Sequence, residues 1–276
     1  MRIRLRHLFL TLFLLAATLP AHGQGKMYTR KLRLADFPTK TTKMVLAGNS
    51  FLELALREGI AVHWRISPYE FCSPEDYRRL SSSSSYYFLS LAQERGIIFL
   101  VLTKGGKEGE KDQLKQAFEV VRMPIAGADD PSGRELVMMG AFLDIIQTFV
   151  ERAMLSDRAA YGGISATAGP RLDGCTVYLN PDAADAAILS REPDALAGVV
   201  IAPADPAEGP FCYKMLISTD THELFFYEKG RYKESADGGF TPADALRFTR
   251  RGANVIQTPT ADSGAEIGFS ANLSEK

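Results

Sequence analysis

The chain reads as an α+β protein, with mixed, partly antiparallel sheets and helices packed on them. Two observations point there. Short runs of β-branched and aromatic residues occur in pairs joined by turn residues, as hairpins do, and amphipathic helical runs lie between them. The composition, 46% hydrophobic and 24% charged over 276 residues, lets such elements bury a core.

The elements follow in order. Lys43 to Ala47 is a strand, and Gly48-Asn49-Ser50 supplies a turn and a helix N-cap. The helix should run from Phe51 to about Val62, with Glu53 and Arg57 spaced i, i+4 on its polar side. Trp64 to Phe71 alternates large and polar residues as a strand does, and Pro68 places that strand at an edge. Ser73-Pro74-Glu75-Asp76 combines a cap, a proline at the first helical position and first-turn acids, opening a helix to about Leu80. The serine run Ser81 to Ser85 is a loop. Tyr86 to Leu91 and Ile97 to Thr103 form a hairpin around Gln93-Glu94-Arg95-Gly96, and Phe118 to Ile125 is a further strand, stopped by Asp129 to Gly133.

Glu135 to Met154 is the longest periodic segment. Asp144, Thr148, Glu151 and Arg152 interrupt its apolar character on one side, so it reads as a central core helix and not a membrane span. Tyr161 to Gly174, rich in glycine and alanine, is the expected boundary between halves. Cys175 to Leu179 opens a second series: a helix start at Asn180-Pro181-Asp182, a buried strand at Val199 to Ile201, a hairpin of Phe211 to Ser218 with Leu224 to Glu228, and a helix from the Thr241 cap to about Arg250. The order of elements appears fully before Gly174 and in shortened form after it. This suggests two related halves, over residues 27–160 and 174–252, followed by a mobile tail over 253–276.

The first 23 residues carry an address. Arg2, Arg4 and Arg6 precede an apolar run from Leu8 to Leu19, and Ala21-His22-Gly23 has the form of a cleavage site, so residues 1–23 are expected to be a signal peptide. The apolar run falls short of the roughly 20 residues that span a bilayer, so no anchor is expected after cleavage. Removing the three arginines of this segment from 32 basic residues leaves 29 against 33 acidic ones, a net charge of −4 that gives nucleic acid nothing to bind. Three cysteines, Cys72, Cys175 and Cys212, do not make a disulfide scaffold, and Cys175 with Cys212 is the one pair considered for bridging.

Chemistry has few carriers in this sequence. Only His63 and His222 remain as histidines after the signal segment, so a Ser-His-Asp or Cys-His site has to use one of them. His63 ends a helix, where a packed structural histidine is commonplace, and His222 sits in a hairpin tip, where a polar residue is expected for solvation alone. Cys72 precedes the Ser73 cap, where helix amides favour thiolate, though a cysteine beside Phe71 is more often simply packed. Metal-ligand spacing is absent, and no cofactor is implied. Lys104 to Lys111 lacks the spacing of a phosphate loop, and Ser50 lacks the second glycine of a nucleophile elbow. Asp129 and Asp130 are paired acids before a helix, able to hold a cation or an amine or merely to suit the helix dipole. Among the aromatics clustered on the strands, Tyr69, Tyr87, Tyr213 and Phe226 are candidate contact residues if they face outward.

Five segments, WRISPYEF (64–71), YYFL (86–89), FLVLTKGG (99–106), DDPSGRE (129–135) and CYKMLISTDTHELFFY (212–227), together resemble a family of uncharacterised exported proteins from Bacteroidota-type bacteria. The resemblance implies a location, the periplasm or cell surface, and no activity. The expectation is a non-enzymatic envelope protein that binds another envelope protein. The alternatives are an envelope hydrolase with a Cys or Ser nucleophile, or a protein that binds a small ligand in a cleft between the halves.

Overall fold

A computed structural model describes residues 29–48, 50–106, 118–128, 133–166, 172–205, 207–232 and 239–257. Residues 1–23, expected to be a signal peptide, Asp129, Asp130 and the residues from 258 onward lie outside the described residues. In chain order the elements are α1 (Arg30–Leu34), β1 (Thr41–Val45), α2 (Phe51–His63), β2 (Tyr69–Cys72), α3 (Pro74–Leu80), β3 (Tyr86–Glu94), β4 (Ile97–Lys104) and β5 (Phe118–Gly127). Then come α4 (Arg134–Val137), α5 (Met139–Leu155), α6 (Asp157–Gly162), β6 (Thr176–Tyr178), α7 (Pro181–Ser190), β7 (Ala195–Ile201), β8 (Phe211–Ser218), β9 (Leu224–Arg231), α8 (Pro242–Thr249) and β10 (Asn254–Ile256). The fold is α+β, as the mixture of hairpins and helices predicts. Among the described residues no helix is long and apolar enough to cross a membrane.

The two five-stranded sheets share one plan. The first has the order β2-β1-β3-β4-β5, with β1 parallel to both β2 and β3 and with β3, β4 and β5 antiparallel in succession. The second has the order β10-β6-β7-β8-β9, with β6 parallel to both β10 and β7 and with β7, β8 and β9 antiparallel. They differ in when the chain reaches the outer parallel strand: early for β2 and last for β10. One apolar cluster joins them, running from Leu89, Leu100 and Met123 through Phe142 and Ile146 of α5 to Met215 and Ile217 of the second sheet. α5 is the central element of that core, with ten of its residues buried.

Local chemistry explains the boundaries. Ser50, Ser73, Ser156, Asn180 and Thr241 each cap a helix by accepting an amide N–H. Arg95 and Gly96 join β3 to β4 with φ of 53° and 71°, the paired left-handed conformation that matches hairpin twist. Gly105 passes so close to the Ser83 carbonyl that a Cβ would sit 2.0 Å from its oxygen, so only glycine fits there.

Three expectations are corrected. The strand predicted from Trp64 to Phe71 is only Tyr69–Cys72, because the amides of Arg65 and Ile66 bond to Gln147 Oε1 at 2.8 and 3.1 Å instead of to a ladder, and Pro68 has no N–H. β2 does lie at the sheet edge. The helix predicted over 135–154 is two, broken at Met138, where ψ rises to 4°. Residues 254–256, expected in a mobile tail, pair with β6. Cys72, Cys175 and Cys212 form no disulfide with one another: β7 lies between β6, which Cys175 precedes, and β8, which holds Cys212.

Candidate functional site

His63 and His222, 159 positions apart in the chain, meet on a single carboxylate. His63 ends α2, His222 turns the corner between β8 and β9, and Asp144 projects from α5 between them. Asp144 Oδ2 lies 3.0 Å from His63 Nδ1 and 2.8 Å from His222 Nδ1, and the two rings are 5.4 Å apart at their centroids. Arg65 Nη1 donates to Asp144 Oδ1 at 2.8 Å and Gln147 Nε2 to the same oxygen at 3.2 Å. Four donors thus fill the acceptor sites of one carboxylate. Burial alone would raise the Asp144 pKa, but the hydrogen bonds from His222, Arg65 and His63 outweigh it and hold the group at about 2. An ionised carboxylate only accepts, so both Nδ1 atoms carry their protons.

Each side chain is placed by its own element. Gln147, fully buried one turn beyond Asp144, also donates to the His63 carbonyl at 2.9 Å and so caps the end of α2 against α5. The His63 ring lies flat on Gly140 of α5, where a Cβ would come within 2.5 Å of Nε2. Glycine inside a helix costs about 1 kcal/mol relative to alanine, and here it admits the imidazole. His222 has φ of 61°, a left-handed conformation that non-glycine residues seldom adopt, and its N–H donates to the Ser218 carbonyl at 3.2 Å. The Ser218 hydroxyl fixes the same turn, donating to Asp220 at 2.5 Å and accepting from the Thr221 amide at 3.2 Å.

Two clefts flank the pair. The first, of about 260 Å³, is walled by Asp144, His222, Arg65 and Arg152, with Thr148, Ser165 and Thr221 supplying hydroxyls, Glu223 adding a carboxylate, and Ile145, Phe149, Ile164 and Leu224 an apolar lining. The second, of about 210 Å³, holds His63 and His222 with Gly140, Ser218, Thr219 and Arg191, beside the apolar Val137, Ile188 and Leu189. His222 belongs to both.

The other candidates lie elsewhere. Cys72 is on the edge strand β2 and lines neither cleft. Burial pushes its thiol up, Asp76 adds to that and Lys43 only partly opposes it, so the thiolate expected at the α3 N-terminus is disfavoured. Tyr87 is fully buried, and its hydroxyl donates to Asp36 Oδ1 at 2.6 Å. Tyr213 and Phe226 are core residues and Tyr69 is half-buried against the core, so none of the four forms an outward aromatic face. In the sequence Asp144 is marked only as one of the polar breaks in the central helix, and Arg65, Gln147 and Gly140 carry no role. The available signal was Asp144 itself, a charge in an otherwise apolar helix. No family model, curated protein or solved structure matches this chain.

Acid should unload this network. Asp36, Asp144 and Asp244 are all held below the ordinary carboxylate value. In each, burial raises the pKa and hydrogen bonds outweigh it, from Lys104, Lys40 and Tyr87 for Asp36 and from the Thr241 backbone and Lys214 for Asp244. A group with a depressed folded pKa contributes stability above its unfolded value, about 3.9, and loses it as pH falls through the folded value. Urea unfolding followed downward from about pH 6 should therefore show stability falling below about pH 4. Asp144→Asn should remove the part of that loss that continues toward pH 2.

Proposed function

We propose that this is an exported protein that binds a small carboxylate with an apolar body in the first cleft. Arg152 carries the reading. Among the described residues its guanidinium bonds only to the Ser165 carbonyl, at 3.3 Å, and has no carboxylate partner, although it borders a cleft with an apolar lining. Arg65 spends only Nη1 on protein acceptors, the His63 carbonyl and Asp144, and is largely exposed. A planar fork with spare donors matches a carboxylate, and the apolar wall suits an aliphatic chain. Glu223 disfavours a ligand with a second negative charge. The export part of the proposal rests on the N-terminal segment.

Two candidate nucleophiles of the hydrolase alternative are poorly placed: Cys72 lines neither cleft, and the Ser218 hydroxyl is committed to Asp220 and the Thr221 amide. Calorimetric titration with hexanoate, with hexanol as the neutral control, tests the ligand reading. Wild type should bind hexanoate and not hexanol, and Arg152→Gln should weaken hexanoate by about tenfold, the value of one charge-assisted hydrogen bond. Equal binding of acid and alcohol, or an unaffected variant, would rule out carboxylate recognition here.

A further inference from the structure

We propose that His63, Asp144 and His222 form a binding site for a divalent transition-metal ion, with zinc as the type ion. Two imidazoles and one carboxylate offer ligand atoms that all lie within 4.8 Å of one another. Their hydrogen-bonded separations of 2.8 and 3.0 Å are close to the spacing that coordination needs. Bonds of about 2.0–2.1 Å in a tetrahedron set ligand atoms roughly 3.3 Å apart, so the two nitrogen-to-carboxylate separations need only a few tenths of an ångström, and the two imidazole nitrogens, within 4.8 Å of one another, have to settle at the same spacing. An N₂O donor set with two imidazoles selects zinc, nickel or copper over magnesium and calcium, which take oxygen.

The surroundings are those of a supported site. Arg65 and Gln147 hold Asp144 Oδ1 and leave Oδ2 to turn toward both histidines. The face of the His63 ring lies over Gly140 at its Nε2 side, and Nδ1 is the ring atom that meets Asp144. Binding exchanges two N–H···O bonds for coordination, and each imidazole's proton moves from Nδ1 to Nε2 through solvent, with no change in charge on either ring. Three protein ligands leave at least one coordination position for water or a ligand, and His222 lines both clefts. None of this depends on a carboxylate ligand occupying the first cleft.

The test is calorimetric titration of the tag-free protein with ZnCl₂, and with MgCl₂ as a control. One zinc per chain should bind saturably and magnesium should not. His63→Gln and His222→Gln should each weaken zinc by about 100-fold or more, since even residues that only support a ligand cost 10–100-fold. Gly140→Ala alters no ligand, yet should weaken zinc about tenfold by displacing the His63 ring. Cys72→Ser should match wild type. Circular dichroism and thermal melting of every variant separate a lost ligand from a lost fold. In cobalt(II)-loaded protein, visible absorption reports tetrahedral coordination and should vanish in His222→Gln.

Absence of saturable zinc uptake by folded wild type, or unchanged uptake in folded His63→Gln and His222→Gln, overturns the metal site and leaves the three residues as a hydrogen-bond network only. Hexanoate is titrated separately in the presence of EDTA. A protein that binds hexanoate but not zinc defeats this inference alone, and one that binds zinc but not hexanoate defeats the cleft reading alone.

Discussion

Asp144→Ala is expected to be more damaging than removal of either histidine. It removes the acceptor shared by His63, His222, Arg65 and Gln147, of which Arg65 and Gln147 keep a bond to the His63 carbonyl and the two imidazoles lose their Nδ1 partner, in a site where the Asp144 side chain is only 15% exposed. Breaking a fully buried charged pair costs 3–5 kcal/mol; the exposed Arg65 can turn to water, so about 3 kcal/mol is expected here. For a chain of this size that is a fall in melting temperature of roughly 10 °C. His222→Ala removes one of four donors and should cost only about 1 kcal/mol. The loss should also be local: the corner at Thr221 to Leu224 is tied to α5 through His222, so its amides should exchange hydrogen faster in Asp144→Ala. If Asp144→Ala melts no lower than His222→Ala, the carboxylate is not the hub of the site.

Phe142→Ala should cost still more, and it tests the core that positions the site. Phe142 is fully buried on α5, within the cluster that joins the two sheets. Truncating a buried phenylalanine costs 3–5 kcal/mol through lost transfer energy and the cavity left behind. Phe51, 83% exposed at the start of α2, gives the comparison, and Phe51→Ala should stay within about 0.5 kcal/mol. Urea midpoints measure both. Because one cluster spans both sheets, Phe142→Ala should lower a single transition common to them, and not split unfolding into two steps. A penalty below about 1 kcal/mol would mean that the cavity closes or that α5 is not the central packing element.

The parts legible in the sequence were those fixed by neighbours in the chain. Caps at Ser50, Ser73, Asn180 and Thr241 marked helix starts, because a side-chain oxygen satisfies an amide three residues on. Runs of β-branched and aromatic residues on either side of turn residues marked the hairpin strands. Where local signals competed with distant partners, the distant partners won. Trp64 to Pro68 alternates as a strand would, yet Gln147 takes the two amides that a ladder would have used. The strand Asn254–Ile256 looked like tail because its partner β6 is nearly 80 residues earlier.

The site shows the same division. Scarcity alone identified His63 and His222 as the histidines available, and local context then gave each an ordinary role, as a helix end and a turn residue. Their meeting depends on Asp144, 81 residues from one and 78 from the other, and on Gly140 leaving room for a ring. Periodicity shows that α5 has a polar side, but not which distant groups that side meets. The sequence by itself determined the α+β class, the helix starts, the hairpins and the central helix, because propensity, capping and periodicity act within a few turns of chain. Only the tertiary structure decided that two ordinary histidines share one carboxylate between two clefts, because that convergence follows from the packing of both sheets around α5.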